Sequence, residues 1–336
     1  MPELTVRTVS RRLKRPFVIS SGARTEQAGV KVVLSEDGFT GAGEASGVSY
    51  LAETADGLAA QIEAVRSAIE AGVTREALME LLPPGGARFA VDSALWDLEA
   101  RRSGVSVAER IGAPAPAPLI TAFTISLDTP EAMEAAAREA AGLSLLKVKL
   151  GGEDGRDGER ARAVRRGAPD AVLIADANAG WTPDNLARDA AALAEAGFAL
   201  LEQPLPAGAD SPLDRFDSPL PLCGDESVQS LADIDAAAAR YDLINIKLDK
   251  CGGLTHALEM RTRLRALGKG VFVGCMICGA RAIAPAFLLA QDADYADLDG
   301  PFWLAEDDRR LDMDDRGRLS PPPAGFWGEG GAHVDD

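Results

Sequence analysis

The residues with the clearest chemical potential are charged groups that interrupt or end apolar runs. In Leu145-Leu146-Lys147-Val148-Lys149-Leu150, two lysines stand two residues apart in what reads as a β-strand. Side chains alternate across a strand, so both amines share one face. In a strand buried on both sides they would share a confined space. Each would then lower the other's pKa from about 10.4 toward neutrality, making a usable base. An edge strand with two solvated lysines is the bland alternative. Three further runs end in an acid: Val172-Leu173-Ile174-Ala175 leads to Asp176, Phe198-Ala199-Leu200-Leu201 to Glu202, and Pro221-Leu222-Cys223-Gly224 to Asp225. Converging carboxylates repel unless a cation joins them, and all-oxygen ligation suits magnesium or another hard ion. Taken singly, each acid could equally be a helix cap or a turn residue. Leu243-Ile244-Asn245-Ile246 ends in Lys247, a second candidate base or a partner of Asp225 or Asp249 in an ion pair, and Tyr295-Ala296 leads to Asp297 and Asp299.

Such groups need a scaffold that brings distant segments together. Candidate strands end near Ser126, Lys149, Asp176, Glu202, Asp225, Lys247, Met276 and Asp299, at intervals of 22 to 29 residues, with Ala-rich helical stretches between them such as Pro183 to Glu195 and Ala232 to Arg240. Eight repeats at this spacing predict a closed (β/α) barrel. An open doubly wound sheet would offer a glycine-rich phosphate turn after its first strand, and none is present. Barrels carry their chemistry at the C-terminal ends of the strands. Lys149 on the second strand and Lys247 on the sixth would face each other across the bore, with the three carboxylates on the arc between. Two opposed bases and a cation suit 1,1-proton transfer beside a carboxylate, that is, racemisation or epimerisation.

The first third, residues 1–115, reads as α+β. Strand-like runs fill 4–46, with a hairpin signal at Glu36-Asp37-Gly38 and a turn-rich loop expected over Ser20 to Glu26. From 52 to 111 the period is helical, with Val91, Leu95 and Leu98 on one face. Pro114 to Pro118 is the linker, 116–300 the barrel, and 301–336 a segment expected to pack back on the first third. With 46% apolar residues among 336, a large core is available. The formal charge of −17 opposes nucleic-acid binding and docking on anionic membranes. No signal peptide or long apolar run is visible, so a cytoplasmic location is expected. Cys275 and Cys278 form a C-x-x-C pair, but His256 and His333 have no ligand spacing to it, so buried free thiols are expected rather than a zinc site.

The chain is identified as resembling the muconate-lactonising subgroup of the enolase superfamily. The resemblance rests on Lys147-Val148-Lys149, Asp176-Ala177-Asn178, Leu201-Glu202-Gln203-Pro204, Gly224-Asp225-Glu226-Ser227 and Asn245-Ile246-Lys247-Leu248-Asp249-Lys250. It implies a (β/α)7β TIM-like barrel under an N-terminal α+β capping domain. It also implies one Mg2+ per subunit on Asp176, Glu202 and Asp225, with Asn178 and Glu226 behind these ligands. Lys149 and Lys247 would be the bases, with Lys147 assisting. Within the subgroup the chain is similar to dipeptide epimerases, those acting on L-Ala-D/L-Glu above all, which implies a cytoplasmic isomerase in peptidoglycan turnover. In those enzymes an Asp-x-Asp, here Asp297 and Asp299, holds the substrate ammonium. Arg24 resembles the position that meets an acidic side chain, and Tyr50 is a second candidate lid residue; either could instead be a surface residue. Where many relatives carry a glutamate, this chain has Cys275-Met276-Ile277-Cys278, a region that touches substrate, with Met276 the candidate contact. Muconate cycloisomerisation or dehydration to o-succinylbenzoate on the same scaffold is the alternative. The resemblance is compatible with a homo-oligomer.

Overall fold

Glu3–Ile19 (β1), Gly22–Glu36 (β2) and Phe39–Ser46 (β3) form a three-stranded antiparallel sheet in the order β1-β2-β3; Val30, Val32 and Leu34 alternate into the core along β2, and most of β3 is buried. The computed structural model describes residues 1–330; His333 and the end of the 301–336 segment lie outside the described residues. The loop expected over Ser20 to Glu26 is mostly strand. Ser20 and Ser21 suffice for the reversal, with Gly22 at φ 135°, and Phe17 already pairs with Arg24. The irregularity lies instead in β1, where the register shifts between Arg12 and Phe17. Five helices follow: Ala55–Ala64 (α1), Arg66–Glu70 (α2), Arg75–Leu81 (α3), Gly86–Ser103 (α4) and Val107–Arg110 (α5). Helix α4 buries Val91, Leu95 and Leu98 as its spacing predicts, and much of its remaining circumference too. It lies close on β3, where a side chain at Gly43 would meet the Ala90 carbonyl.

No helix or strand covers 111–118, the proline-rich stretch. After the short strand Leu119–Ile120 (β4) come the eight barrel strands: Phe123–Ile125 (β5), Leu145–Lys149 (β6), Val172–Asp176 (β7), Leu200–Glu202 (β8), Leu222–Gly224 (β9), Leu243–Lys247 (β10), Gly270–Gly274 (β11) and Tyr295–Asp297 (β12). They pair in parallel in sequence order, and the ring closes where Ala122 N donates to Ala296 O at 2.8 Å. The connecting helices are Pro130–Glu139 (α6), Asp157–Gly167 (α7), Pro183–Glu195 (α8), Leu231–Ala237 (α9), Leu248–Cys251 (α10), Leu254–Ala266 (α11) and Ala280–Leu289 (α12). Between β8 and β9 only a 3-10 turn, Ser211–Arg215, is present. Prolines at 204, 206, 212, 219 and 221 remove the amide donors a helix there would need.

The strands explain how two lysines come to sit inside. Leu145, Ile174, Leu200, Cys223, Leu243 and Phe272 form an apolar floor in the bore. Two residues further along, five of these six strands carry Lys147, Asp176, Glu202, Asp225 and Asn245 on the same inward face, and the sixth carries Gly274. Outward positions such as Leu146, Val148, Leu173, Ala175, Ile244 and Ile246 pack into the main core with the helices. Past β12, Leu304 bridges to Leu13 and Ala305 N donates to Arg12 O at 2.9 Å. Further on, the short strand Arg318–Leu319 (β13) pairs with β4, and Trp327 Nε1 donates to Ser93 O at 3.1 Å.

Candidate active site

Parallel register sets Lys149 beside Asp176 and Asp176 beside Glu202 at the C-terminal ends of β6, β7 and β8. Asp225 follows β9 directly, and Lys247 ends β10. Lys149 and Lys247 stand on strands separated by three others in either direction around the ring, so they rise from opposite walls. Both line one cavity of about 270 Å³ at the barrel mouth.

All of the expected ionic residues meet there. Lys149 Nζ lies 2.6 Å from Asp176 Oδ2, and Lys247 Nζ 2.7 Å from Asp225 Oδ2, so the ion pair foreseen as an alternative for Lys247 is present. Lys147, fully buried, places Nζ 3.1 Å from Asp176 Oδ2, 2.8 Å from Glu202 Oε2 and 2.9 Å from Asp297 Oδ2. Asn178 N donates to Asp176 Oδ1 at 2.9 Å, and Asn178 Nδ2 to Glu226 Oε1 at 3.2 Å.

The electrostatics differ from mutual depression of lysines. Burial disfavours the charge on Lys147, but Asp297, Glu202 and Asp176 outweigh it and hold the amine well above its ordinary range. Lys247 is likewise raised: burial opposes its charge and Asp225 overcomes it. The expectation from two neighbouring ammonium groups left out the acids that surround them, and those acids dominate. Burial pushes Asp176 up, yet Lys149 and Lys147 bring it down to about 2. Glu202 goes the other way, pushed up to about 7 by burial and by Asp176. Burial and Asp225 raise Glu226 to about 8.

Among the described residues, no three acidic, histidine or cysteine side chains are gathered as an ion cage. Lysine amines hold the oxygens of Asp176, Glu202 and Asp225 instead. The donor set nevertheless fits a hard cation. Three fully buried carboxylates share one end of the bore, and Glu202 Oε2 has no aligned hydrogen-bond donor even with Lys147 Nζ nearby. Burial and the neighbouring Asp176 both disfavour the charge on Glu202, which a cation would relieve.

Around the rim, Arg24, Tyr50, Met276, Asp297 and Asp299 all line the same cavity. Arg24 Nη2 donates to Ser49 Oγ at 2.9 Å, while Tyr50 is 45% exposed. Asp297 turns Oδ2 to Lys147, leaving a buried Oδ1 without a hydrogen-bond partner. Asp299 Oδ2 accepts from Thr124 N at 2.8 Å and from Trp303 Nε1 at 3.1 Å. Cys223, Cys251 and Cys278 are buried free thiols, but Cys275 is half-buried and faces the cavity.

Sequence reasoning gave no role to several residues that hold these groups. Lys250 Nζ, buried, donates to Asp225 Oδ1 at 2.6 Å, to Asp225 O at 2.5 Å and to Asn245 O at 3.1 Å. Asn245 Nδ2 donates to Glu202 Oε1 at 2.8 Å. Gln203, in the left-handed region at φ 35°, accepts on Oε1 from Asp225 N at 2.9 Å and from Ser227 N at 3.1 Å. The spacing of Lys250 three residues after Lys247, across a turn of helix, was the one signal in the chain for such a role.

Comparison with known proteins gives matches along most of the chain. Residues 131–325 match the family described as enolase C-terminal domain-like, and residues 1–112 match the mandelate racemase / muconate lactonizing enzyme N-terminal domain. The L-Ala-D/L-Glu epimerase of Escherichia coli (strain K12) is 46% identical over 297 residues, 88% of this chain and 92% of that protein. The N-acetyl-D-glutamate racemase of a Pseudoalteromonas species is 41% identical, over 76% of this chain and 80% of its own. A crystal structure of an enolase family member from Agrobacterium tumefaciens, with homology to dipeptide epimerases, superposes with a TM-score of 0.94 at 44% identity. The match covers 98% of this chain and 100% of that one, and that crystal holds sodium and L-Ala-L-Glu with an ordered loop.

Proposed function

This chain belongs to the mandelate racemase / muconate lactonizing enzyme family of the enolase superfamily, and we propose that it is a magnesium-dependent dipeptide epimerase acting on the L-Ala-L-Glu and L-Ala-D-Glu pair. The observation that carries the reading is the pair of amines, Lys149 and Lys247, on opposite walls of one cavity that also holds Asp297 and Asp299. The E. coli relative's activity and the Agrobacterium relative's bound cation and dipeptide support it.

In this reading Asp176, Glu202 and Asp225 hold the cation. Bound there, magnesium would take up charge from these carboxylates, freeing the lysines from them, and offset the negative charge that grows on the substrate carboxylate as the α-proton leaves. Lys149 and Lys247 act on the α-carbon from opposite faces: one amine removes the proton, and the other ammonium returns one with inversion. Lys147, held by Asp297, supplies positive charge below the substrate carboxylate. Asp297 and Asp299 take the α-ammonium by charge-assisted hydrogen bonds. Arg24, bonded to Ser49 at the rim, meets the glutamyl carboxylate. Met276 contacts the side chains, and Asn178 and Glu226 steady the ligands. Cycloisomerisation and dehydration need no ammonium site, so the aspartate pair favours epimerisation. A net charge of −17 points to small-molecule partners, and wall-derived peptides met in the cytoplasm are the proposed source.

The test is proton exchange. With magnesium in deuterated water, L-Ala-L-Glu should lose the proton NMR signal of its C-terminal α-hydrogen while D-Glu-containing product accumulates. Retention of that signal across a library of dipeptides overturns the reading.

A further inference from the structure

Two N–H donors hold Asp299, beside the Thr124 hydroxyl, and both use the same oxygen. Thr124 N and Trp303 Nε1 bond to Oδ2, which leaves Oδ1 outside these bonds. Trp303 is buried and stands behind the cavity wall rather than in it. Its ring is gripped from the capping sheet. Phe17 meets it edge-on, with centroids 4.7 Å apart and planes at 85°, and the Arg15 guanidinium lies 4.8 Å from the ring centroid. Leu13, Ile277 and Leu304 complete this small cluster, which is separate from the main core. The indole N–H therefore has little freedom, and the acceptor it reaches is Asp299.

We propose that Trp303 is a positioning residue for substrate choice: its N–H pins Asp299 Oδ2, presents Oδ1 to the cavity, and so sets the preference for dipeptides with a free α-ammonium over N-acylated ones. The inference rests on the reading that Asp297 and Asp299 hold that ammonium. Asp299 needs such support, because burial and the nearby Asp297 push its pKa up to about 6, toward the neutral form. Each N–H bonded to Oδ2 favours the charged form instead. An N-acyl amide brings no positive charge to two aspartates, so discrimination between the ligand types concentrates on this pair.

Trp303→Phe keeps the ring against Phe17 and deletes the N–H. The expected result is a KM for L-Ala-L-Glu raised roughly tenfold or more, the scale of one hydrogen bond to a charged group. The kcat should be little changed, and so should the Ki of N-acetyl-L-Ala-L-Glu as a competitor. In an Asp299→Asn background the same change should add nothing to ligand affinity, because the partner it serves is already neutral. Equal weakening of both ligands, a fall in kcat alone, or full additivity with Asp299→Asn overturns the proposal. Wild-type protein that exchanges no dipeptide α-proton removes the parent reading and this inference together. Active wild type with an indifferent Trp303→Phe removes this inference only.

Discussion

Val148 points outward into the core while Lys147 and Lys149 point inward among carboxylates. For the proposed reaction, each base works on one face of the α-carbon. Lys149→Met and Lys247→Met should each abolish epimerisation, by at least the 10²–10⁴-fold or so typical of a lost general acid–base group. Each variant should still exchange deuterium into one stereoisomer only, L-Ala-L-Glu for one and L-Ala-D-Glu for the other. Exchange of both isomers by either variant would remove the two-base assignment. Lys147 and Lys149 were visible in the sequence from the period of two alone. Lys250 was not assigned, because its two bonds to Asp225 close only when β9 and β10 are adjacent.

One face of α4 grips the joint that follows Lys247. Arg88, Asp92 and Trp96 recur at intervals of four, so they line one side of the helix. Arg88 Nη2 donates to Cys251 O at 2.5 Å, taking the C-terminal end of α10. Asp92 accepts from Thr255 N at 3.3 Å and from the Thr255 hydroxyl, serving as the N-terminal cap that α11 lacks within its own chain segment. Trp96 Nε1 donates to Thr255 Oγ1 at 3.0 Å. Gly252 and Gly253, both at positive φ, let α4 approach: a side chain at either would strike Arg88 or Asp92. Burial pushes Asp92 up to about 6, against about 3.9 in an unfolded chain. Between those values the folded protein holds a proton that the unfolded chain has released. Stability therefore falls as pH rises through this window, and the penalty is absent below it. Asp92→Asn carries no such proton, so its stability relative to wild type should improve from pH 4 to pH 7, by on the order of 2 kcal/mol. Urea unfolding of both proteins at the two pH values checks this; a constant difference would contradict it.

Across the whole molecule, acids buried at one end of the bore set how stability depends on solution conditions. Asp176, Glu202 and Asp225 are fully buried, and burial and Asp176 push the Glu202 pKa up to about 7. A cation that binds only the folded chain should raise its stability by about 2.7 kcal/mol at a hundred times its Kd, a shift of several degrees in Tm. Magnesium titrated into chelator-treated protein should show this in a thermal melt, and Asp225→Asn should abolish the increment. Equal Tm with and without magnesium would argue against the cation site. The fold was legible because barrel strands repeat: an apolar run ending, in most strands, in an ionic residue, then a helix, at intervals of 22 to 29 residues. The fourth connection broke that rhythm, since its prolines left only a 3-10 turn.

The sequence by itself determined the class of barrel, the strand ends and the identity of the ionic residues on them. Period-two alternation and the βα repeat are local properties, encoded within a few residues or one repeat. Only the tertiary structure decided which ions touch. Lys147 meets Asp297 across 150 positions of chain, Arg24 turns from an expected loop into a strand facing the cavity, and Trp303 reaches Asp299 under the grip of Phe17. Those contacts depend on ring closure and on how the capping sheet docks. Their energies come from burial and from the summed field of neighbours, which no single segment carries.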